Sequence, residues 1–405
     1  MGNKIFAAID VGTTTVAVSL IDEENRVIIK DGFLNPQSRF GSDVISRITL
    51  SERGDNLANM RTCIIEAIEG SISSMIGKLD LSSSESAADD DDDDDDDDDE
   101  VDQTCLTDKD KRQNVIYRAV ITANTAMASI ILGKNITSLG KAPFDMPFNE
   151  ESIITLNGNI TCHVLPGASA FIGADSAAGA MYIQDINNKS AGDTLGESLR
   201  AGEMLIDLGT NGEMLLNDGT RMLALSAACG PAFENSTRAS KIYGKTTLSA
   251  IAYLLKRGEI DRNLVLDDDF IQNGRDITIS GTKLHLDARI IREIQLATAA
   301  IYASAVFLIE QSDISMDDIK KLYIAGGFGF YLSLSDAETI GLLPSKLLSK
   351  AVVAGNTSLM AAEKLAITGD IEKYDSFRKS IITLQPGGNE RYEELFRDNL
   401  TFTKR

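Results

Sequence analysis

The chain has 405 residues, 43% of them hydrophobic, and a formal net charge of −22 at pH 7. This composition predicts a globular protein of two or three sub-domains, and its acidity argues against nucleic acid or an anionic membrane as a partner. No apolar run approaches the ~20 residues of a membrane span. The sequence enters a strand directly after its first residues, so we expect a cytoplasmic location without a signal peptide.

The first predicted region, residues 4–50, is a β-meander whose first strand ends in Ile9-Asp10-Val11-Gly12-Thr13. Thr14 and Thr15 follow, and two apolar runs separated by a turn come next, a pattern typical of β-hairpins. Gly12 would let the backbone approach an oxyanion, and the threonines offer N–H and O–H donors. These residues therefore predict a phosphate-binding loop.

A helix is predicted over residues 52–79, because apolar residues recur there with a period close to that of a helix. Beyond it, residues 82–108 are rich in Ser, Ala and Asp, and residues 89–99 are an unbroken run of Asp. Like charges at this density repel one another and bury no surface, so we expect a disordered insertion. A cation-binding tract is the alternative interpretation of the Asp run.

Regular structure is expected to resume with a strand at residues 115–121 and a helix near Thr125. Two short strands are predicted at residues 153–155 and 160–164. The stretch 166–175 is rich in small residues. It is expected to form a loop and a helix start at the cleft between two lobes.

The first loop motif returns as Ile206-Asp207-Leu208-Gly209-Thr210, followed by Asn211, Gly212 and Glu213. A strand is again predicted after the loop. Dinucleotide-binding and Walker loops instead lead directly into a helix, so the repeat argues against both. A near match to the Walker pattern ends at Gly244-Lys245-Thr246 but has Ala239 in place of the first glycine. We expect a loop or helix start there.

The rest of the chain alternates helices and strands. A strand is expected to end in the Gly-Pro turn of residues 226–234, and an alanine-rich helix over residues 287–311 is expected to be buried. A strand at residues 322–325 ends in Gly326-Gly327-Phe328-Gly329, with a helix from about Asp336. A last strand at residues 351–354 leads through Gly355-Asn356 into a helix from about Thr357.

The cysteines are widely spaced and lack the C-x-x-C or cluster-type spacing of iron–sulfur proteins. They are Cys63, Cys105, Cys162 and Cys229. We interpret them as reduced thiols of the core and predict no intrinsic iron–sulfur cluster. The chain has only two histidines, which leaves little material for a His-based metal site or a Ser-His-Asp triad.

The repeated loops predict a shared polyphosphate site. Asp10 and Asp207, at matching strand ends, would face each other across the phosphates and suit a hydrated Mg²⁺, which takes few carboxylates. The donors expected to hold the phosphates are Gly12, Thr13, Thr14, Thr15, Gly209, Thr210, Asn211 and Gly212. Glu213 could orient an attacking water. Gly326, Gly327 and Gly329 would let the backbone lie flat against a nucleoside.

In this order, the two phosphate loops and the glycine-rich loop resemble the superfamily of actin, sugar kinases and heat-shock chaperones. The resemblance implies an α/β fold of two ribonuclease H-like lobes with ATP in the cleft. We divide the chain accordingly into a first lobe at residues 4–170, with the insertion at about 82–108, and a second lobe at residues 171–400.

Longer motifs resemble the reductive activators of corrinoid proteins over residues 4 to about 390. They are Asn35-Pro36-Gln37, Gly41-Ser42-Asp43-Val44-Ile45-Ser46-Arg47-Ile48, the second phosphate loop to Glu213, Gly230-Pro231-Ala232-Phe233-Glu234, the glycine loop, Ile340-Gly341-Leu342-Leu343-Pro344 and Gly355-Asn356-Thr357. The family uses ATP to reduce an inactive Co(II) corrinoid to Co(I). The resemblance thus implies a corrinoid protein or corrinoid-dependent methyltransferase as partner, and a homodimer is compatible with it.

This sequence departs from the family pattern at several points. The ferredoxin-type domain that members usually carry has no counterpart here, so a separate low-potential electron donor is expected. Ala123 and Asn235 replace usual glycines. Two other functions stay open: a small-molecule kinase of the same superfamily, and an ATP-gated adaptor or chaperone-like module without redox activity. The related activators of 2-hydroxyacyl-CoA dehydratases need a cluster that these cysteines do not support.

Overall fold

The computed structural model describes residues 4–85, 116–183, 198–229, 244–279, 281–329 and 332–402. Two six-stranded mixed sheets, each with its own helices, form two lobes. Side chains in 80–85 and 244–245 lie outside the description.

The first lobe is built on a sheet whose strands lie in the order β3-β2-β1-β4-β6-β5. These strands are β1 Ile5–Val11, β2 Thr15–Ile21, β3 Val27–Leu34, β4 Ile116–Ala123, β5 Ser152–Leu156 and β6 Ile160–Val164. The helices in this part of the chain are α1 Val44–Ser51, α2 Asn56–Glu85, α3 Thr125–Ile131 and α4 Ala174–Met181. Asp43 and Asn124 begin α1 and α3 by accepting hydrogen bonds from backbone N–H groups of the first turn.

The second lobe is built on a sheet whose strands lie in the order β13-β12-β7-β8-β9-β14, beside a separate hairpin of β10 and β11. The strands are β7 Glu203–Leu208, β8 Gly212–Asn217, β9 Met222–Ala227, β10 Arg275–Ile279, β11 Thr282–Leu286, β12 Lys321–Ala325, β13 Ala351–Gly355 and β14 Ile381–Thr383. The helices are α5 Gly244–Arg257, α6 Asp268–Asn273, α7 Ala288–Glu310, α8 Gly326–Gly329, α9 Leu334–Ile340, α10 Ser345–Leu348, α11 Thr357–Thr368, α12 Ile371–Ser380 and α13 Glu390–Asp398.

The two sheets repeat one topology. In the first, β1 pairs antiparallel with β2, β2 pairs antiparallel with β3, and β1 pairs parallel with β4. In the second, β7, β8 and β9 form the same antiparallel meander, and β7 pairs parallel with β12. The internal repeat seen in the sequence is therefore a repeat of whole strand-and-loop units.

Three clusters of buried apolar side chains form the core. One lies within each lobe, and the third joins the inner faces of both sheets through α4 and α11. These two helices approach closely, since a Cβ atom on Gly179 of α4 would lie 2.7 Å from Oγ1 of Thr357 in α11. Although α11 follows the second sheet in sequence, it packs against β1 and β4 of the first. The lobes thus share a helical layer.

The alanine-rich helix expected near residue 300 is α7, and its prediction as a buried helix is confirmed. It is the one helix among the described segments that is long and apolar enough to cross a membrane, and 72% of its most apolar window is buried. Burial of this kind is typical of a core helix.

The structure corrects two predicted boundaries in the first lobe. The β-meander expected to reach residue 50 ends at Leu34, where Pro36–Phe40 forms a 3-10 turn and α1 follows. The helix expected at residues 52–79 is Asn56–Glu85. The meander prediction was wrong because β-branched residues in α1, such as Ile45 and Ile48, favour a strand locally, while the Asp43 cap and packing impose a helix.

Other predictions fall partly or wholly outside the described residues. The first residues of the predicted insertion, 82–85, are helical and belong to α2, so its start was placed too early. Its remainder, Cys105 and the Gly-Pro turn at 230–234 lie outside the described residues. The helix start predicted near Gly244 is confirmed by α5. Cys63, Cys162 and Cys229 are buried free thiols, as predicted for core residues.

Candidate functional site

The first phosphate loop joins β1 to β2 and turns tightly at Gly12, whose N–H donates to the carbonyl oxygen of Thr15 at 2.9 Å. Side chains from neighbouring segments form hydrogen bonds with this loop. The side-chain amide of Asn35 donates to Gly12 O at 2.8 Å, and the guanidinium of Arg47 donates to Thr13 O at 2.6 Å. Asn124 donates to the Thr13 hydroxyl at 3.1 Å. With these acceptors engaged, the loop conformation is fixed before any ligand arrives.

Arg47 is the main brace of this loop. It is fully buried, and its remaining N–H groups donate to Gly41 O at 3.0 Å and to Oε1 of Gln37 at 3.2 Å. Gln37 in turn donates to Met60 O on α2 at 3.1 Å. The motifs at residues 35–37 and 41–48 are thus a support for the phosphate loop rather than part of a ligand surface.

The second phosphate loop joins β7 to β8 in the same way. The N–H of Gly209 donates to Asn211 O at 2.9 Å. Gly212 opens β8, where a Cβ atom would lie 2.2 Å from Cδ1 of Ile301 on α7, so a larger residue would require the Ile301 side chain to move. Asp207 and Glu213 are directly opposite each other in the β7–β8 register. Two carboxylates at such positions repel each other unless a cation or a proton intervenes.

The glycine-rich segment differs from its prediction. Gly326–Gly329 forms one helical turn, α8, rather than a flat loop. Gly326 has a φ of +87°, and a Cβ there would lie 2.3 Å from Oδ1 of Asp207, whereas Gly327 has open space around it. Gly329 packs near Ile324 of β12. The backbone turns immediately because Gly326 must pass beside Asp207, which strand pairing places opposite Ala325.

Asp10 is held by the start of α11. The amide of Asn356 donates to its Oδ2 at 2.8 Å and the hydroxyl of Ser358 donates to its Oδ1 at 2.7 Å. Ser358 also lies 2.9 Å from the hydroxyl of Thr122, which Asp10 faces across the β1–β4 register. A segment of the second lobe in sequence therefore orients the first acid of the site.

A fourth acid, Asp175, joins the three that were predicted. It lies in the first turn of α4, and its Oδ1 accepts from the N–H of Ser176 at 2.8 Å. We call Asp10, Asp175, Asp207 and Glu213 the acid cluster. They come from β1, α4, β7 and β8, so both sheets and one shared helix contribute.

Burial raises the pKa of every member of the acid cluster, and neighbouring carboxylates raise the pKa values of three of them further. Burial and the charge of Asp10 raise the pKa of Asp175 to about 7, and burial with the charges of Asp175 and Asp10 raises the pKa of Asp207 to about 8. Burial and the charges of Asp175 and Asp207 raise the pKa of Glu213 well above its usual value. Burial also raises the pKa of Asp10, against its hydrogen bonds to Ser358 and Asn356. Raised carboxyl pKa values mark a site that stabilises added positive charge.

The acid cluster is not a ready-made metal cage. Within the described part of the chain, no three His, Cys, Asp or Glu side chains converge as direct ligands of one ion. A hydrated Mg²⁺ needs few direct carboxylates, because waters and substrate phosphates complete its shell. The arrangement is compatible with such an ion and does not resemble a dedicated protein site for a bare one.

Among the predicted site residues, the structure brings Asp10, Asp207 and Glu213 into one electrostatic unit and places Gly326 beside it. Four contributors were not predicted from the sequence: Asn124, Asp175, Asn356 and Ser358. Asp175 stood in the stretch predicted at the interlobe cleft, and Asn356 stood in a recognised motif, so both positions carried a signal. Ser358 carried none, since isolated hydroxyl residues are common in cores.

Sequence comparison gives matches to two families over most of the chain. The family described as the RACo middle region matches residues 6–87 and 98–188, and the C-terminal domain of RACo, the ASKHA domain, matches residues 202–240 and 237–405. The corrinoid activation enzyme RamQ of Eubacterium limosum is 27% identical over 398 residues, which cover 83% of this chain and 60% of that protein. The Co(II) methylated amine-specific corrinoid protein reductase of Methanosarcina barkeri is 27% identical over 216 residues, 40% of this chain and 38% of that protein.

A solved structure has the same fold. The reductive activator for corrinoid, iron-sulfur protein superposes with a TM-score of 0.75 at 23% identity, over 98% of this chain and 66% of that one. The predicted two-lobed actin-like fold is thereby confirmed. The chain spans about 60% of the length of RamQ and 66% of the solved activator. From its two family matches, the chain belongs to the RACo family, of which it contains the middle region and the ASKHA domain.

Proposed function

We propose that this chain binds Mg-ATP in the cleft between its lobes and uses ATP hydrolysis to drive the one-electron reduction of Co(II) to Co(I) in a corrinoid protein. One observation carries the proposal. Two loops in equivalent places of the two sheets follow the strand residues Asp10 and Asp207, and the charge of Asp10 raises the pKa of Asp207. Such facing loops, rich in backbone donors, suit a polyphosphate with its cation.

Mg²⁺ fits the acid cluster by charge. The charged neighbours that most raise the pKa values of Asp175, Asp207 and Glu213 are other members of the cluster. Asp10 and Asp207 are the residues that would hold the waters of the ion. When bound, Mg²⁺ would neutralise charge on the phosphate oxygens and on the carboxylates. Binding of the ion requires the carboxyl groups of the acid cluster to lose their protons.

The remaining residues have distinct parts in the proposed reaction. The backbone N–H and hydroxyl groups of Thr13, Thr14, Thr15 and Thr210 hold the phosphates together with the amide groups of Asn211, and α8 with its glycines contacts the nucleoside. Glu213 orients the attacking water, with Asp175 as a second acid able to take its proton. Asp10 is less suited to proton transfer, because both of its oxygens already accept hydrogen bonds.

Coupling to the corrinoid requires two nucleotide states with different affinity for the partner. The shared layer of α4 and α11 connects both loops, since α4 carries Asp175 and the start of α11 holds Asp10. Closure of the lobes on ATP and opening after hydrolysis would change the partner surface. A separate cytoplasmic low-potential donor supplies one electron to Co(II), while ATP and water become ADP and phosphate.

Nucleotide binding is tested first. Asp10→Asn and Asp207→Asn should each weaken binding of Mg-ATP in calorimetry by about tenfold or more, because each removes one charge facing the cation. The control Asp317→Asn removes a surface acid paired with Lys346 and should bind as the wild type does. Unchanged Mg-ATP binding in both site variants would contradict the proposed site.

The reduction is tested under strict anaerobiosis with this chain, Mg-ATP, a reduced ferredoxin and the cognate corrinoid protein. We expect the visible spectrum of the corrinoid to change to that of Co(I) only when ATP is present. ATP binding without any Co(I) would instead support an ATP-gated adaptor. Phosphorylation of an added metabolite would support a kinase.

A further inference from the structure

Helix α12 connects the edge of the second sheet to the loop that leads into the cleft. The strand that follows it, β14, pairs in parallel with β9 in the second sheet. The helix itself packs against α4, the helix that carries Asp175. Its buried residues are Ile371, Tyr374 and Arg378. Tyr374 and Arg378 are polar, and burying a polar side chain costs free energy unless its donors form hydrogen bonds.

Both polar side chains donate to one stretch of backbone. The hydroxyl of Tyr374 donates to Pro166 O at 2.7 Å. The guanidinium of Arg378 donates to Gly167 O at 3.0 Å and, from two N–H groups, to Oδ1 and the backbone oxygen of Asn149 at 2.7 and 2.6 Å. Asp375 accepts its remaining N–H groups, including Nε at 2.8 Å. Arg378 therefore contacts two separate loops of the first lobe.

The loop that receives these bonds is also held from its other side. Thr125 at the start of α3 donates to Ser169 O at 2.8 Å. A Cβ on Gly167 would lie 2.4 Å from Ile172 O, and one on Gly173 would lie 2.5 Å from Cα of Asn124 and 2.6 Å from Oδ1 of Asp175. Because the loop is this tightly packed, a shift at Pro166 is transmitted to Asp175.

We propose that Tyr374 and Arg378 are positioning residues, which hold the loop from Pro166 to Gly173 and so place the Asp175 carboxylate within the acid cluster. The inference rests on the proposed function for its readout, although the contacts do not. Through β14 the same helix connects this position to the second sheet. Movement of that sheet between nucleotide states would therefore move Asp175.

A purely structural bond would cost stability and nothing else. Positioning of Asp175 makes a different prediction, because this carboxylate belongs to the acid cluster at the proposed nucleotide site. Displacing Asp175 from the cluster should lower kcat for ATP hydrolysis and leave KM for ATP nearly unchanged.

The test is Tyr374→Phe, which removes a single hydroxyl. A phosphate assay gives kcat and KM for ATP, and thermal unfolding gives the stability of the variant. We expect kcat lower by about fivefold, as for one lost hydrogen bond, and KM within about twofold. Arg378→Lys should act in the same direction and more strongly.

Two further variants separate positioning from stability. Tyr392→Phe loses a hydroxyl that lies 3.3 Å from the Ser304 hydroxyl in the second lobe, and it should turn over ATP as the wild type does. In an Asp175→Asn background, Tyr374→Phe should have no further effect on kcat. Full additivity in that background, or a wild-type kcat in Tyr374→Phe, would overturn the inference. Wild-type protein that fails to bind Mg-ATP would overturn the proposed function instead.

Discussion

The two phosphate loops occupy equivalent places in equivalent sheets, yet they are held in opposite ways. In the first, Asp10 accepts hydrogen bonds from Asn356 and Ser358, and Arg47 braces the backbone. In the second, Asp207 is opposite Glu213 and beside the backbone of Gly326. Asp207 accepts no side-chain hydrogen bond among the described residues, and its pKa is raised to about 8 by burial and by the charges of Asp175 and Asp10.

The same sequence motif therefore has a different role in each of the two loops. The first loop is held in place by hydrogen bonds to the carbonyl oxygens of Gly12 and Thr13. The second loop concentrates negative charge that only a proton or a cation can satisfy. The repeated sequence motif therefore forms an asymmetric site. The first loop is held rigidly by hydrogen bonds, and the second carries negative charge that a bound cation would neutralise.

The largest effect is expected from Gly326→Ala, which introduces a steric clash with the second loop. The new Cβ would lie 2.3 Å from Asp207 Oδ1 and 2.5 Å from Leu208 O, at a φ of +87°. We expect a loss of about 3 kcal/mol in the free energy of unfolding, from backbone strain and overpacking, and loss of Mg-ATP binding. Denaturant titration and calorimetry measure both. Gly327→Ala, in open space one residue later, is the control and should be nearly neutral.

Arg47→Met tests the brace of the first loop. The buried methionine would leave the carbonyl oxygens of Thr13 and Gly41 without their guanidinium donor, a cost of about 2 to 3 kcal/mol in unfolding free energy. Weaker Mg-ATP binding should accompany it. Arg61→Met is the matched control, because Arg61 donates to Ile131 O on α3. Wild-type nucleotide affinity in Arg47→Met would show that the loop needs no brace.

Asp207→Asn should stabilise the free protein at high pH while weakening Mg-ATP binding. A carboxyl whose pKa is raised from 3.8 to about 8 on folding lowers stability progressively as pH rises from about 4 to 8, and the loss stays constant above that. The variant lacks this loss, so its advantage over wild type should grow steadily across that range. Thermal unfolding at pH 5 and pH 8.5 without Mg²⁺ measures it, and a pH-independent difference would contradict it.

The smallest effect is expected from Ser358→Ala, which removes one donor to Asp10. We expect a loss of about 1 kcal/mol in unfolding free energy and a further rise in the pKa of Asp10, because that hydrogen bond lowers it. Mg-ATP affinity should therefore fall more at pH 6 than at pH 8. Ser249→Ala, which removes a donor to Asp336 at 2.8 Å, should show no such pH dependence. Equal losses of affinity at both pH values would argue that Asp10 does not depend on this bond.

The strand-loop-strand units were predictable because each depends on local signals. Apolar runs separated by turns specified β1 to β3 and β7 to β9. The repeated Asp-x-Gly-Thr motif placed two of the four acids, and Glu213 was predicted from its place just after the second loop. The predicted boundaries near α1 and α2 were wrong. In α1, β-branched residues favour a strand locally, and the helix forms because of its N-terminal cap and its packing. The helical turn at α8 was also missed, because the close approach of Gly326 to Asp207 depends on strand pairing.

By itself, the sequence determined the duplicated loops, the burial of α7 and the resemblance to corrinoid activators, because these depend on short patterns and on hydrophobic period. Tertiary structure alone decided that Asp175 joins the cluster, that α11 returns to the first sheet to hold Asp10, and that Arg378 reaches Asn149 and Gly167 across the fold. These contacts join residues far apart in the chain. Only packing of the two sheets around α4 and α11 brings them together.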